Sequence, residues 1–99
     1  MSVIDDVIAH LTQQQASMRC AEMKKLLETL GFQVTDAATK NHKLVYHKGI
    51  KDFHGSHYDC GHGKNPELKK PYVQAMRRLI EKYRIDLANH LGLSNDSRS

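Results

Sequence analysis

The sequence has little cysteine, and it has no long run of apolar residues. Cys20 and Cys60 are the only cysteines among 99 residues, and the first residues lack the basic start and apolar run of a secretory signal. We therefore expect a cytoplasmic protein whose cysteines are reduced. No window approaches the roughly 20 apolar residues that a transmembrane helix needs, so a membrane-spanning protein is not expected.

Several common catalytic motifs are also missing. The sequence contains no Gly-rich phosphate loop, no paired-carboxylate motif and no Ser-x-x-Lys arrangement, and it has no internal repeat or low-complexity tract. Apolar residues make up 39% and charged residues 26% of the chain, which is typical of a small globular protein. At this length we expect one domain over residues 1–99, with a single functional site.

Positive charge is concentrated in the middle of the chain. Residues 37–84 carry eleven Lys/Arg and four acidic residues, a net charge of +7, whereas the whole chain has a net charge of +4. A basic block of this kind suits a polyanionic partner, above all nucleic acid. It is equally typical of a solvated, lysine-rich surface.

Two helices are predicted in the first third of the chain. Ser2 is a typical N-cap residue, and the apolar residues after it keep helical spacing, which predicts a helix over Ser2–Leu11. A second helix is predicted from Ser17, also a capping residue, to a C-terminal stop at Gly31. The polar run between them leaves open whether the two helices are separate or fused.

Strands and a closing helix follow. Strand-forming residues predict β-strands over Phe32–Thr35 and Lys43–His47, with a weaker strand over Ser56–Cys60. Pro71 suits a first helical position, and apolar residues continue at helical spacing as far as Leu87.

This order of elements predicts the fold class. We expect an α+β two-layer sandwich, in which a three-stranded antiparallel sheet is covered by two helices in the order α-β-β-β-α. The first helix is then an extra short N-terminal helix. The core is expected over about 17–84, and the polar residues 94–99 are expected to fray.

Histidine is unusually frequent, with seven in the chain and five between His42 and His62. Cleaving RNA without a metal needs a base that removes the ribose 2′-OH proton, and positive charge near the phosphate. Histidine transfers protons near neutral pH, and His42 lies between Lys40 and Lys43. We therefore predict His42 as the catalytic residue and Lys43 as an assisting one. The alternative interpretation is that His42 is a surface histidine with no catalytic or binding role.

The position of His42 in its strand sets a condition on this prediction. His42, Leu44 and Tyr46 are alternate residues of the chain, so in a strand their side chains point to the same face. If Leu44 and Tyr46 face the helices, His42 reaches solvent only at the end of the strand.

A second candidate site is the turn Gly61-His62-Gly63-Lys64. Its glycines let the backbone approach a phosphate closely, and Lys64 adds positive charge, although most turns of this composition have no further role. A metal site would use the ligand-like spacing of His54, His57, Cys60 and His62. A strand through His57 and Cys60 would point the two to opposite faces, so no metal is assigned.

Basic residues also cluster around the start of the closing helix. Lys69 and Lys70 precede Pro71, and the Arg77-Arg78 pair follows one to two turns later. The charge of such residues adds to the partial positive charge of the helix N-terminus and attracts phosphate. The alternative is that these residues form a solvated face. The candidate nucleic-acid-binding residues are Lys40, Lys43, Lys64, Lys69, Lys70 and Arg77.

Three segments occur in an order that is typical of one family. They are Met23–Phe32, then Lys40–His47, and then Gly61–Lys64 with the helix that follows. They resemble, in turn, the helix ending in Leu-x-x-x-Gly-Phe, the Gly-Ser-His strand and the Pro-x-His segment of HicA-type toxins. These toxins are small mRNA interferases of type II toxin–antitoxin modules. Here Lys40-Asn41 stands where the family has Gly-Ser, and the connection Gly49–Tyr58 is longer.

The resemblance implies a fold like that of a double-stranded-RNA-binding domain and the activity of an endoribonuclease that needs no cofactor. It implies that His42 is the catalytic residue and that His62 matches a downstream histidine, which we regard as a possible assisting residue. It also implies mRNA as the substrate and a HicB-type antitoxin as the protein partner. Two alternatives stay open: a non-catalytic RNA-binding domain of the same fold, and a small metal-binding interaction module.

Overall fold

The computed structural model describes residues 3–38, 41–61 and 66–92. Among these residues the chain forms α1 Val3–Gln13, α2 Cys20–Thr29, β1 Gln33–Asp36, β2 His42–Tyr46, β3 Ser56–Asp59, α3 Lys70–Lys82 and α4 Arg84–His90. This order confirms the predicted α+β layout, with a short helix before it and the closing helix divided in two. In the part of the chain that is described, no helix is long and apolar enough to cross a membrane.

The strands form one antiparallel sheet in the order β1-β2-β3, and each strand begins and ends within one residue of its prediction. Val34 pairs with Val45, and Lys43 pairs with Tyr58. Since side chains alternate across a strand, Val34, Val45 and Tyr58 share one face of the sheet. All three are buried in a core that includes side chains from all four described helices. The helices therefore cover this face and leave the other face open.

α1 is part of the core and not an appendage. Its residues Ile4, Val7 and Leu11 are buried, and it packs mainly along α3. An ion pair between Asp5 and Arg84 also joins the first turn of α1 to the start of α4. The buried core consequently extends beyond residues 17–84 at both ends.

The start of α2 differs from the prediction. Its N-cap residue is Arg19, whose side chain makes no capping hydrogen bond, and the hydroxyl of Ser17 donates to Gln14 Oε1 instead. The Cys20 N–H donates to the Pro66 carbonyl at 3.0 Å. A backbone bridge between distant segments thus satisfies one of the N–H groups that have no intrahelical partner at the helix start.

The end of α2 confirms the predicted stop at Gly31. Gly31 has φ +92°, and its N–H donates to the Glu28 carbonyl at 3.0 Å, while the Phe32 N–H donates to the Leu27 carbonyl at 3.1 Å. These two bonds form a Schellman motif, which requires a left-handed residue at this position. The chain turns here from α2 directly into the sheet.

The closing helix is interrupted, contrary to the prediction of continuous helical spacing as far as Leu87. Tyr83 separates α3 from α4 with φ −104° and ψ 24°. Pro71 is the second residue of α3, one position later than the predicted first helical position. α4 begins directly after Tyr83: the Leu87 N–H donates to the Tyr83 carbonyl at 2.9 Å, and the Leu87 side chain is buried.

The two cysteines are joined in a disulfide, with their Cα atoms 5.4 Å apart. The expectation of two reduced cysteines is therefore wrong for this structure. The reason is tertiary: Cys20 begins α2, Cys60 directly follows β3, and the fold brings these ends together on the buried side of the sheet. Both residues are buried.

Candidate active site

The open face of the sheet carries the candidate catalytic histidine. In β2, Val45 points into the core, so His42, Leu44 and Tyr46 point to the opposite face. Tyr46 is 43% exposed there, and the His42 side chain is 50% exposed. The restriction considered for His42 therefore does not apply, because Leu44 and Tyr46 face away from the helices and His42 shares their open face.

His42 pairs with an acidic residue that sequence reasoning did not single out. Asp59 is its register partner across the β2–β3 ladder, and Asp59 Oδ1 lies 3.2 Å from His42 Nδ1. A neutral imidazole with its proton on Nδ1 donates to this carboxylate, which leaves the Nε2 lone pair to accept a proton from another molecule. Both side chains are partly exposed, so a substrate on the open face can reach them.

A second histidine lies on the same face. His57 pairs with Leu44 in the ladder, two residues before Asp59, and it is exposed. His42 and His57 are therefore diagonal neighbours, whose Cβ atoms in such a pair are roughly 7 Å apart.

The side chain of Lys43 does not lie beside that of His42. The two are adjacent in β2 and therefore point to opposite faces. Lys43 Nζ forms an ion pair with Asp36, its register partner in β1, and its side chain is only 19% exposed. The structure thus separates the candidate base from the lysine that sequence analysis assigned to assist it.

Tyr58 lies beside Lys43 on the covered face. It is completely buried, and its hydroxyl has no hydrogen-bond partner among the described residues. Burial raises the pKa of Tyr58 well above its ordinary value, and the nearby carboxylates of Glu28 and Asp36 raise it further. Tyr58 is consequently a neutral core residue, and it is not available to substrate.

The basic residues near the closing helix lie in the helix layer. Lys69 directly precedes α3, Lys70 is its first residue, and both are exposed. Arg77 is partly buried, with Nε 4.0 Å from Glu81 Oε1. His42 is on the open face of the other layer, so these basic residues and the candidate base belong to different surfaces. Three further candidates, Lys40, His62 and Lys64, lie outside the described residues.

The residues proposed for a metal site do not form one in the described part of the chain. No group of three or more His, Cys, Asp or Glu side chains that could hold a metal ion occurs there. Cys60 is bonded to Cys20 on the buried side, while His57 faces the open side. His54 and His57 are both exposed, and His62 lies outside the described residues.

One of the clustered histidines is structural. His47 is 6% exposed; its Nε2–H donates to the Leu30 carbonyl at 3.0 Å, and its Nδ1 accepts from the Gly49 N–H at 3.0 Å. Burial lowers the pKa of His47, and the neighbouring His90 lowers it further, while the bond to Leu30 acts in the opposite direction. His47 is therefore neutral and holds the end of α2 against the end of β2.

Comparison of the chain with models of protein families, with curated proteins and with solved structures finds no match.

Proposed function

We propose that this chain is a metal-independent endoribonuclease, an mRNA interferase similar to the HicA-type toxins, with His42 as its general base. The observation that carries the proposal is the pairing of His42 with Asp59 on an open, solvent-accessible sheet face. The α-β-β-β-α order and the motifs quoted above support the resemblance. The excess of positive charge over residues 37–84 supports a polyanionic substrate.

In this proposal the imidazole performs the first proton transfer. His42 Nε2 accepts the proton of a ribose 2′-OH, and the oxygen attacks the adjacent phosphorus. The carboxylate of Asp59 holds the ring in the tautomer that leaves Nε2 free, and it stabilises the imidazolium that forms. The P–O5′ bond then breaks, which leaves a 2′,3′-cyclic phosphate and a 5′-hydroxyl.

The proposal also specifies a partner and a compartment. A HicB-type antitoxin would inhibit the enzyme by covering His42, and mRNA as substrate places the protein in the cytoplasm. Disulfides are rare there because thiols are kept reduced. The proposal therefore requires that the fold persist when the disulfide between Cys20 and Cys60 is reduced.

Inducible expression in a bacterial host tests the proposal. Wild type is expected to stop growth and degrade mRNA, and the purified protein to leave 2′,3′-cyclic phosphate ends. His42→Ala is expected to lose roughly 10²- to 10⁴-fold in cleavage rate, the usual contribution of a general base. His54→Ala is the matched control, because His54 is an exposed histidine outside the strands. Cleavage that survives His42→Ala at the wild-type rate would reject the assignment.

A second candidate function is binding of RNA without cleavage. The observation that favours it is the exposed pair Lys69 and Lys70 at the start of α3, on a different surface from His42. In that case Lys69→Ala weakens RNA binding and reduces its salt dependence, since fewer counterions are released. His42→Ala leaves binding unchanged. Binding that does not respond to salt would exclude this function.

A further inference from the structure

We infer that His57 is the general acid of the proposed cleavage reaction, and that it protonates the 5′-oxygen as the P–O5′ bond breaks. This inference rests on the proposed function and assigns the second proton transfer that the reaction needs. Neither the resemblance nor the sequence spacing indicated His57 for this role. The indication comes from the β2–β3 register.

The register places the two histidines on one accessible surface. His42 and Asp59 form one cross-strand pair, and Leu44 and His57 form the next pair on the same face. His42 and His57 are both exposed. No other described residue lies between them along the strands on this face, because the intervening residues Lys43 and Tyr58 point to the covered side.

The separation of the two histidines suits the reaction. In an in-line displacement the attacking and leaving oxygens lie on opposite sides of the phosphorus. With one hydrogen bond at each oxygen, the base and acid nitrogens are roughly 9 Å apart. Two imidazoles whose Cβ atoms are roughly 7 Å apart reach this span when their rings tilt slightly away from each other.

The division of roles follows from the neighbours of each ring. His42 has a carboxylate at Nδ1, which fixes the tautomer whose Nε2 accepts a proton and stabilises the cation that forms. His57 faces Leu44 across the ladder, and the one carboxylate among the described strand residues of this face, Asp59, pairs with His42, so His57 is the candidate for the proton donor. When protonated it also adds positive charge, which matters because the described strand residues on this face include no lysine or arginine.

The chemistry is balanced without any further reactant. His42 Nε2 takes the 2′-OH proton, the 2′-oxygen bonds to phosphorus, the P–O5′ bond breaks, and the 5′-oxygen takes a proton from His57. Proton exchange with water then restores the neutral ring of His42 and the protonated ring of His57. The products are the 2′,3′-cyclic phosphate and the 5′-hydroxyl already expected from the proposed function.

A substrate with sulfur in place of the bridging 5′-oxygen separates the two roles. A thiolate is a far weaker base than an alkoxide and leaves without a proton, so it makes the general acid unnecessary. We expect His57→Gln to cleave ordinary RNA roughly 10²-fold more slowly than wild type and to cleave the 5′-thio substrate at nearly the wild-type rate. His42→Gln is expected to be slow on both substrates, because the attack still needs a base.

The controls keep the two proposals distinguishable. His54→Gln should match wild type on both substrates, and thermal unfolding confirms that each variant is folded; His57→Asn is the second variant if His57→Gln is not. If His57→Gln cleaves ordinary RNA like wild type, or is equally slow on both substrates, the role of His57 is rejected and that of His42 stands. If wild type cleaves neither substrate, the proposed function fails, and the inference fails with it.

Discussion

Asp59 Oδ1 lies 3.2 Å from His42 Nδ1, directly across the β2–β3 ladder. This contact predicts the effect of Asp59→Asn, which keeps the size of the side chain and removes its charge. The asparagine amide can donate to Nδ1 and so favour the tautomer with the proton on Nε2, which cannot act as a base towards substrate. We expect kcat for RNA cleavage to fall about tenfold. The effect is smaller than the roughly 10⁴-fold loss in a buried triad, because this pair is partly exposed to solvent.

Nitrogen chemical shifts of the His42 ring distinguish this role from a structural one. They should report a shift from the Nδ1–H to the Nε2–H tautomer in Asp59→Asn. Asp52→Asn is the control, because Asp52 is an exposed carboxylate in the connection between β2 and β3. An unchanged tautomer together with an unchanged kcat would contradict the prediction.

Local signals in the sequence were sufficient for most of the fold. Gly31 ends α2 as predicted because its left-handed conformation is a property of glycine itself. The strands were predictable to within a residue because strand-forming residues mark them. The break at Tyr83 was not predictable, since the apolar spacing runs through it without interruption.

The candidate site was predictable only in part. His42 was identifiable from its residue type and its basic neighbours, but Asp59 is seventeen positions away and becomes its partner only through the strand register. The pairing of Cys20 with Cys60 likewise depends on how the fold brings the start of α2 next to the end of β3. The separation of Lys43 from His42 was available from strand alternation alone, because the two residues are adjacent.

Gly31 lies so close to His90 that a side chain does not fit. A Cβ atom at Gly31 would lie 2.8 Å from His90 Nε2 and 3.0 Å from His47 Nε2, and the backbone has φ +92°. We expect Gly31→Ala to lower the free energy of unfolding by about 2–3 kcal/mol, from backbone strain together with the clash. Chemical denaturation measures the change.

Gly92→Ala separates the two contributions to this loss. Gly92 has φ +73°, but no atom of the described residues lies within 4 Å of an added Cβ, so we expect its substitution to cost only the backbone strain of about 1 kcal/mol. In the double variant Gly31→Ala/His90→Ala, part of the loss should be recovered because the nearer ring is gone. Equal losses for Gly31→Ala and Gly92→Ala would show that packing against His90 has no effect on stability.

The Cys20–Cys60 disulfide closes a loop with a sequence separation of 40 residues. A crosslink of this span lowers the entropy of the unfolded chain and stabilises the fold by about 4 kcal/mol. We therefore expect the double variant Cys20→Ala/Cys60→Ala to unfold at clearly lower denaturant concentration than the oxidised wild type. Adding a reductant should destabilise the wild type and leave the variant unchanged. A wild-type midpoint that does not respond to reductant would contradict the prediction.

His47 predicts how stability depends on pH. Burial lowers its pKa below the ordinary value of 6.5, and protonation of Nδ1 would replace the acceptor of the Gly49 N–H by a second donor. The unfolded chain therefore binds this proton at a higher pH than the folded protein does, so acidification favours unfolding. The stabilisation from neutral His47 is fully present above about pH 7.5 and is lost as the pH falls through 6.5 towards the lowered pKa of the folded state.

Denaturation midpoints between about pH 7.5 and 5.5 measure this dependence, in a range above the ordinary pKa of carboxylates. We expect the free energy of unfolding of wild type to fall with pH, and that of His47→Gln to be lower at pH 7.5 but to change less on acidification. His54→Gln keeps the buried imidazole and should follow the wild-type slope. Because His90 contacts His47, with ring centroids 4.6 Å apart, His90→Gln should reduce the slope only in part. If His47→Gln loses stability as steeply as wild type, the pH dependence originates elsewhere in the molecule.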